Sequence, residues 1–527
     1  MFANLGKYML FIIRRERINS LVWAICLTAF TISMALLYPN LFPNKEALAN
    51  MWNALNTPAM IAMMGPLYGS NSLTLSISMA QQCMIWIAIA VIVMNILFVN
   101  RHTRADEELG RHQILTSLPI GRLSGPKATI ELAFLLNLTI AILSALGLIA
   151  TGLDGMSVAG AFSYTLSLAA QGTLFAAITL LTAQLFSTSK GCLGVAFAIL
   201  GLSYVLRASG DMSDNVLSII SPLGLGLRIQ AFYKNDFLPV IFLYIETIVV
   251  TGIAFWFNLR RDIGAGIFPA KKGKAHASFF LRSTFGFAWR LSRGSFFAWG
   301  FAIFIMSAMY GSVIGELGEF AKGNDILQQI LGDGSGSSIA EEALPMLCGV
   351  MALIATVPVI GTITRIYGEE KRHRIEQIYA TSVSRKSIFT SFIGIAIIES
   401  IVFTLLSAIG LYVTSYSANI VSFKTIAGAS FIFVPAMLTL AGLTALFVGI
   451  APKLTVIVWA LFGYSFFVLY FGRLFNVPKW AVNISPFGTT PILKDVTATP
   501  LIVLCIIAIT LGVIGFYGGY KKRDIKG

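Results

Sequence analysis

The feature that most restricts this chain is its series of apolar runs, each long enough to cross a bilayer. Twelve are expected, at about 20–38, 79–99, 128–151, 161–187, 193–206, 237–259, 296–313, 343–363, 392–415, 425–450, 454–471 and 500–519. A spanning helix needs roughly 20 mostly apolar residues. These runs lack the alternation of barrel strands, and lipid leaves no backbone polar group unpaired, so helices are the expected form. Composition agrees. Hydrophobic residues make up 56% of 527 and charged residues 12%, with a mean hydropathy of +0.80. A soluble fold of this composition would leave oily surface in water. The expected class is an all-α polytopic membrane protein.

The net charge of +14 is spread over short loops and forms no basic domain, so the bilayer rather than nucleic acid is the expected partner. With the N-terminus inside, inner segments hold 29 of the 38 Lys and Arg residues and outer segments hold 9, which places both termini in the cytoplasm. The five cysteines are scattered and form no CxxC pair, so neither a disulfide framework nor a zinc site is expected. Residues 1–19 lack a cleavage signal and are expected to form an amphipathic helix at the inner interface.

The chain also carries internal matches. At a shift of 263, Asp106–Glu107 matches Glu369–Glu370, Gln113 matches Glu376, Pro119 matches Ser382 and Arg122 matches Arg385. "ISPLG" at Ile220 matches "ISPFG" at Ile484, and "RRDIGAG" after the sixth run matches "KRDIKG" after the twelfth. Two parallel six-span repeats are expected, at 1–262 and 296–527. A basic cytosolic linker, 263–295, would join them, with a second interfacial helix in its later part.

Between its second and third runs each half holds a charged segment. In "EEKRHRIEQIYATSVSRKS", Ile375, Ile378, Tyr379 and Val383 fall on one helical stripe, with Glu370, Lys371, Arg374 and Gln377 on the other faces. Leu109, Leu115 and Leu118 give the first half a less regular stripe. One reading is an interfacial helix that stabilises a long loop. The matched positions favour docking to a symmetric two-lobed partner, and the mixed charge argues against simple adhesion to anionic lipid.

This pattern resembles the E-E-x-x-x-G-x-x-E-x-L-x-x-T-P-V-S-R segment of ATP-binding cassette type-2 exporter permeases. The first copy keeps Glu107, Gly110, Leu115, Pro119 and Arg122, next to Glu108, with Gln113 replacing the usual acid. The second keeps Glu369, Glu370, Glu376, Thr381, Val383, Ser384 and Arg385, with His373 replacing Gly and Ser382 replacing Pro. The layout looks closest to the fused twelve-span permeases described as polyketide-antibiotic or multidrug exporters. The outer loops at 57–70 and 325–338 look like that subgroup too. The resemblance implies coupling helices at 107–118 and 370–384 that sit in grooves of an ATPase. It further implies a bacterial cytoplasmic membrane location and export of a hydrophobic or amphiphilic compound.

The chain contains no GxxxxGK followed by Ser or Thr, so no phosphate-binding loop is expected in it. ATP and Mg²⁺ are expected on a separate ATPase subunit, present in two copies, and no cofactor on this chain. No catalytic set stands out, so an enzyme is not expected.

Three acids fall within the runs, Glu131, Glu246 and Glu399. An intramembrane carboxylate calls for a reason. Glu246 would meet a cationic drug or a proton, or hydrogen-bond a neighbouring span; Glu131 is one turn past Lys127 and reads as interfacial. Ser221–Pro222 and Ser485–Pro486 lie on the outer side, where prolines break helices. The resemblance implies short re-entrant helices there; the alternative is a plain surface turn. The main rival function is a proton-coupled drug antiporter of the major facilitator type. Its short loop bearing G-x-x-x-D-R-x-G-R-R is replaced here by the longer segment 100–127.

Overall fold

The structure, a computed structural model, describes residues 1–111, 119–213, 216–262, 264–268, 276, 278–314, 336–415, 422–472, 477–490 and 498–522. Among them, twelve helices are long and apolar enough to span a membrane. Spans 1 to 6 are Leu5–Leu41, Leu75–Glu108, Ser124–Thr151, Val158–Leu185, Ser189–Ser213 and Leu238–Arg260. Spans 7 to 12 are Thr284–Gly311, Leu344–Lys371, Arg385–Ser415, Phe423–Ile450, Pro452–Tyr470 and Ala498–Tyr520. The described residues form no strand, only one isolated bridge between Phe186 and Phe268.

Each expected run falls on one of these helices, but the ends differ. Residues 1–19 do not form a separate interfacial helix. Span 1 is one helix of 37 residues, about 55 Å long at 1.5 Å per residue, against roughly 30 Å of hydrocarbon. No glycine or proline lies between Lys7 and Tyr38 to interrupt it. The later part of the linker behaves the same way: Thr284–Ile314 is continuous with span 7.

The chain divides into two compact units, Met1–Gly273 and Lys274–Gly527. In the first, span 4 is central. Its apolar window is 83% buried, the largest share of the twelve, and it packs on spans 2, 3, 5 and 6 while span 1 packs on span 3. Its small residues let neighbours approach, and polar pairs join them. Asn95 and Asn137 exchange two hydrogen bonds of 2.9 Å, and Asn137 donates to Thr173 Oγ1 at 3.2 Å, tying spans 2, 3 and 4.

In the second unit, span 7 packs on span 9, span 8 on spans 9 and 10, and span 10 on span 12. The neighbour pairs 1–3, 2–4 and 4–6 of the first unit thus have counterparts 7–9, 8–10 and 10–12. Spans 10 and 12 meet backbone to backbone: a Cβ on Gly449 would overlap the Gly515 carbonyl, and one on Gly519 the Gly449 carbonyl. Overpacking that presses on backbone has no flexible side chain to relieve it. Gly449→Val is expected to lower stability by roughly 1–3 kcal/mol, measured by unfolding in detergent. Gly463→Ala, in open space, should leave the midpoint unchanged or higher.

Candidate functional site

The acidic pair of the first unit lies at the end of span 2. The helix of span 2 ends at His102 and a short helix, Arg104–Glu108, continues from it. Glu107 is buried between two arginines. Arg104 donates to it at 2.6 Å, and Arg261, at the end of span 6, donates at 2.9 Å through Nη1 and more closely through Nη2. The side chains of Arg104 and Arg261 are 1% and 5% exposed. Such charges are tolerated only when paired and fully hydrogen-bonded. Arg261 also donates to Gln184 Oε1 at 2.7 Å, and Arg104 to the Gly264 carbonyl at 2.9 Å. Arg122 donates to the carbonyls of Asn258, at 2.7 Å, and Arg261. The exposed Glu108 accepts from the Ser189 backbone at 2.8 Å, at the start of span 5. Asp106 accepts from Arg15 at 2.6 and 3.0 Å. The segment is therefore tied to spans 1, 5 and 6.

The second unit uses different groups. Span 8 runs on to Lys371, so Glu369 and Glu370 sit on it, 8% and 5% exposed. His373 turns the chain at φ +55°, and the helix Arg374–Tyr379 follows. Ile375 is fully buried, and Ile378, Tyr379 and Val383 pack on the same core. The Tyr379 and Tyr520 hydroxyls are 2.5 Å apart, and Arg385 donates to the Tyr520 carbonyl at 3.2 Å. Arg122 and Arg385, the matched arginines, thus each hold the end of their unit's last span. Arg374, Glu376 and Gln377 face outward beside exposed Lys371, Arg372 and His373. His373 Nδ1 lies 2.7 Å from Glu376 Oε1.

Two expectations change. Neither 107–118 nor 370–384 is one uninterrupted helix. Gly110, at φ +71°, stops the first where His373 stops the second. Nor does Glu370 stand on an outer face with Lys371, Arg374 and Gln377: it is buried, as are the side chains of Glu107 and Glu369. A helical stripe shows which side is apolar, but not which acids meet arginines from elsewhere in the chain. Gln113 and Leu115 lie outside the described residues. The Pro119 carbonyl accepts from Asn4 at 2.7 Å.

Comparison with known proteins follows this geometry. A family model described as "Multidrug efflux system permease Rv1217c, C-terminal domain" matches residues 281–519. The chain is 31% identical to the multidrug efflux system permease protein Rv1217c of Mycobacterium tuberculosis (strain ATCC 25618 / H37Rv), over 99% of this chain and 95% of that one. The chain belongs to the multidrug efflux system permease family. The resemblance to exporter permeases stands, and the major facilitator alternative is not favoured. The protein is a multi-pass membrane permease.

The three acids of the permease's spans differ in setting. Glu131 pairs with Lys127 at 3.5 Å and is 38% exposed. Glu246 is exposed on span 6 among exposed Ile245, Ile248 and Val249. Glu399 is fully buried; Thr362 donates to its Oε1 at 2.8 Å and its Oε2 has no hydrogen-bond partner.

On the opposite side of the first unit, Pro222 starts a short helix as well as ending the one before it. Ser221 caps Pro222–Leu227 by accepting from the Gly224 backbone at 3.3 Å. Residues Leu223 to Leu227 are all buried, unlike a plain surface turn. In the second unit Ser485 accepts from Gly488 at 3.2 Å, but Pro486 begins a turn rather than a helix.

Sequence reasoning missed Arg207 and Asp211. The expected fifth span stopped at 206 because a charge reads as an end, yet the helix continues to Ser213. Arg207 is fully buried, donates to the Ala62 carbonyl at 2.5 Å and pairs with Asp211 at 3.3 Å. It thereby pins the short helix Pro58–Met64.

Glu107→Ala leaves two buried guanidinium groups without their carboxylate. It is expected to cost about 3–5 kcal/mol in a denaturant titration, while Glu376→Ala, on an exposed pair, stays within roughly 0.5 kcal/mol. His373 carries a side chain where the backbone favours glycine. His373→Gly is expected to be neutral or to gain up to about 1 kcal/mol, read by the same titration, as relief of the turn offsets loss of the Glu376 contact.

Proposed function

We propose that this chain is the membrane subunit of an ATP-driven exporter that moves hydrophobic or amphiphilic, drug-like compounds out of the cell. The observation that carries the reading is the match to a multidrug efflux permease over nearly the whole length of both chains. Two copies of a separate ATP-binding cassette subunit hold ATP and Mg²⁺ and supply the work, since the sequence contains no phosphate-binding loop. The excess of Lys and Arg in alternate segments supports both termini lying in the cytoplasm. The repeated neighbour pairs and the repeated contact of Arg122 and Arg385 support two parallel six-span repeats.

The ATPase pushes on the segment after span 2 and on the helix Arg374–Tyr379. That helix suits the role. Its apolar edge is embedded in the second unit's core, and its polar face is exposed. Tyr379 and Arg385 link it to the end of span 12, so a displacement passes to spans 8, 9 and 12. Glu246 and Glu399 stay candidates for a polar substrate or proton contact.

The test is reconstitution with the ATPase in proteoliposomes. Arg374→Glu with Glu376→Lys is expected to cut ATP-dependent transport about tenfold, the equivalent of losing one or two charge-assisted contacts. The unfolding midpoint should stay put. Pumping by the purified chain alone, sustained by a proton gradient and indifferent to ATP, would overturn the proposal.

A further inference from the structure

The first unit holds a cavity of about 430 Å³ between the lower part of span 1 and the segment after span 2. Its lining combines Glu16 and Trp23 of span 1 with Leu97, Arg101 and Asp106 of span 2, Leu136 of span 3, and Arg111 just beyond span 2. One wall is apolar and the other is charged, the profile of a lipid–water boundary, where Trp is also favoured.

The two carboxylates are already occupied. Glu16 accepts from Asn19 at 3.0 Å and from Arg101 at 2.9 and 3.0 Å. Asp106 accepts from Arg15 and, at 3.2 Å, from Arg111. They are 6% and 3% exposed. The arginines that hold them are not used up. Among the described residues Arg101 and Arg111 each spend only Nη1, and their side chains are 52% and 56% exposed. The capacity left over is therefore for donation from cations, which excludes a cationic guest and suits an anion. Exposed Arg14 and Arg17 beside Arg15 reinforce the sign.

We propose that this cavity binds an anionic phospholipid. Its phosphate lies between Arg101 and Arg111, and its acyl chain runs along Leu97 and Leu136. Guanidinium forks match phosphate oxygens, and the apolar wall supplies the part of the affinity that free phosphate lacks. Such a lipid touches both span 1 and the segment holding Asp106 and Leu109. It would cement the junction through which a push after span 2 reaches the spans. The site is testable without any ATPase, so its failure and that of the exporter reading are separable.

The experiment is native mass spectrometry of the delipidated full-length protein, offered equal amounts of phosphatidylglycerol and phosphatidylcholine. Wild type is expected to retain phosphatidylglycerol with a preference of about tenfold or more, and excess inorganic phosphate should not displace it. Arg101→Gln with Arg111→Gln should abolish the preference. Because Arg101 also supports Glu16, a second variant, Leu97→Trp with Leu136→Trp, leaves every ion pair in place and narrows only the acyl wall. It should reduce retention about tenfold. Undiminished retention in the tryptophan variant overturns the proposal, and so does displacement by inorganic phosphate, which would mark a plain anion site.

Discussion

The first unit depends on a carboxylate held between two buried arginines. Glu107 receives Arg104 from its own short helix and Arg261 from the end of span 6. Each charge would be costly at the edge of a bilayer alone, and removal of any one strands the others. The cluster therefore acts as one unit, fixing where span 2 ends, where span 6 ends and how the chain leaves toward the linker. Gln184 at the end of span 4 accepts from both Asn258 and Arg261, which extends the clamp to the most buried helix of the unit. The proposed role of this segment needs such a base, because a push on a loosely attached loop is absorbed before it moves a helix.

The second unit reaches a similar end with softer groups. Tyr379 and Tyr520 meet through hydroxyls, Arg385 holds the Tyr520 carbonyl and lies over the Tyr379 ring, and Phe389 packs on Tyr520. Aromatic contacts of this kind tolerate sliding better than a bidentate ion pair does. The two handles differ in stiffness although they occupy matched positions. In a single chain the two halves are free to diverge in this way.

The spans were legible because hydropathy over some 20 residues integrates away local noise. Their ends were not. Span 1 absorbs the residues assigned to an interfacial helix because charge alone does not stop a helix; only a breaker does, and none lies between Lys7 and Tyr38. Span 5 runs past Arg207 because Asp211, one turn on, pays the cost of burying it. The same blindness hid Glu107. Its type and spacing identified the segment, but its partner Arg261 is 154 residues away, and one sequence without relatives holds no record of that pairing. The stripe Ile375, Ile378, Tyr379 and Val383 was readable for the opposite reason: it is local, and its period is that of the helix it forms.

One departure from the family pattern gains meaning from the backbone. The motif has a glycine after its acids, and the first copy keeps it as Gly110, three residues after Glu107, at φ +71°. The second copy has His373 at the corresponding place, and its φ is +55°. Both copies thus turn left-handed there whichever residue occupies the position, and in the second copy the turn redirects the chain from the end of span 8 into the helix Arg374–Tyr379. Glycine adopts it freely; histidine does so at some cost and offsets part of it by a contact with Glu376. The substitution that weakens the sequence match leaves the geometry alone. The turn, rather than the glycine, is what the two copies share.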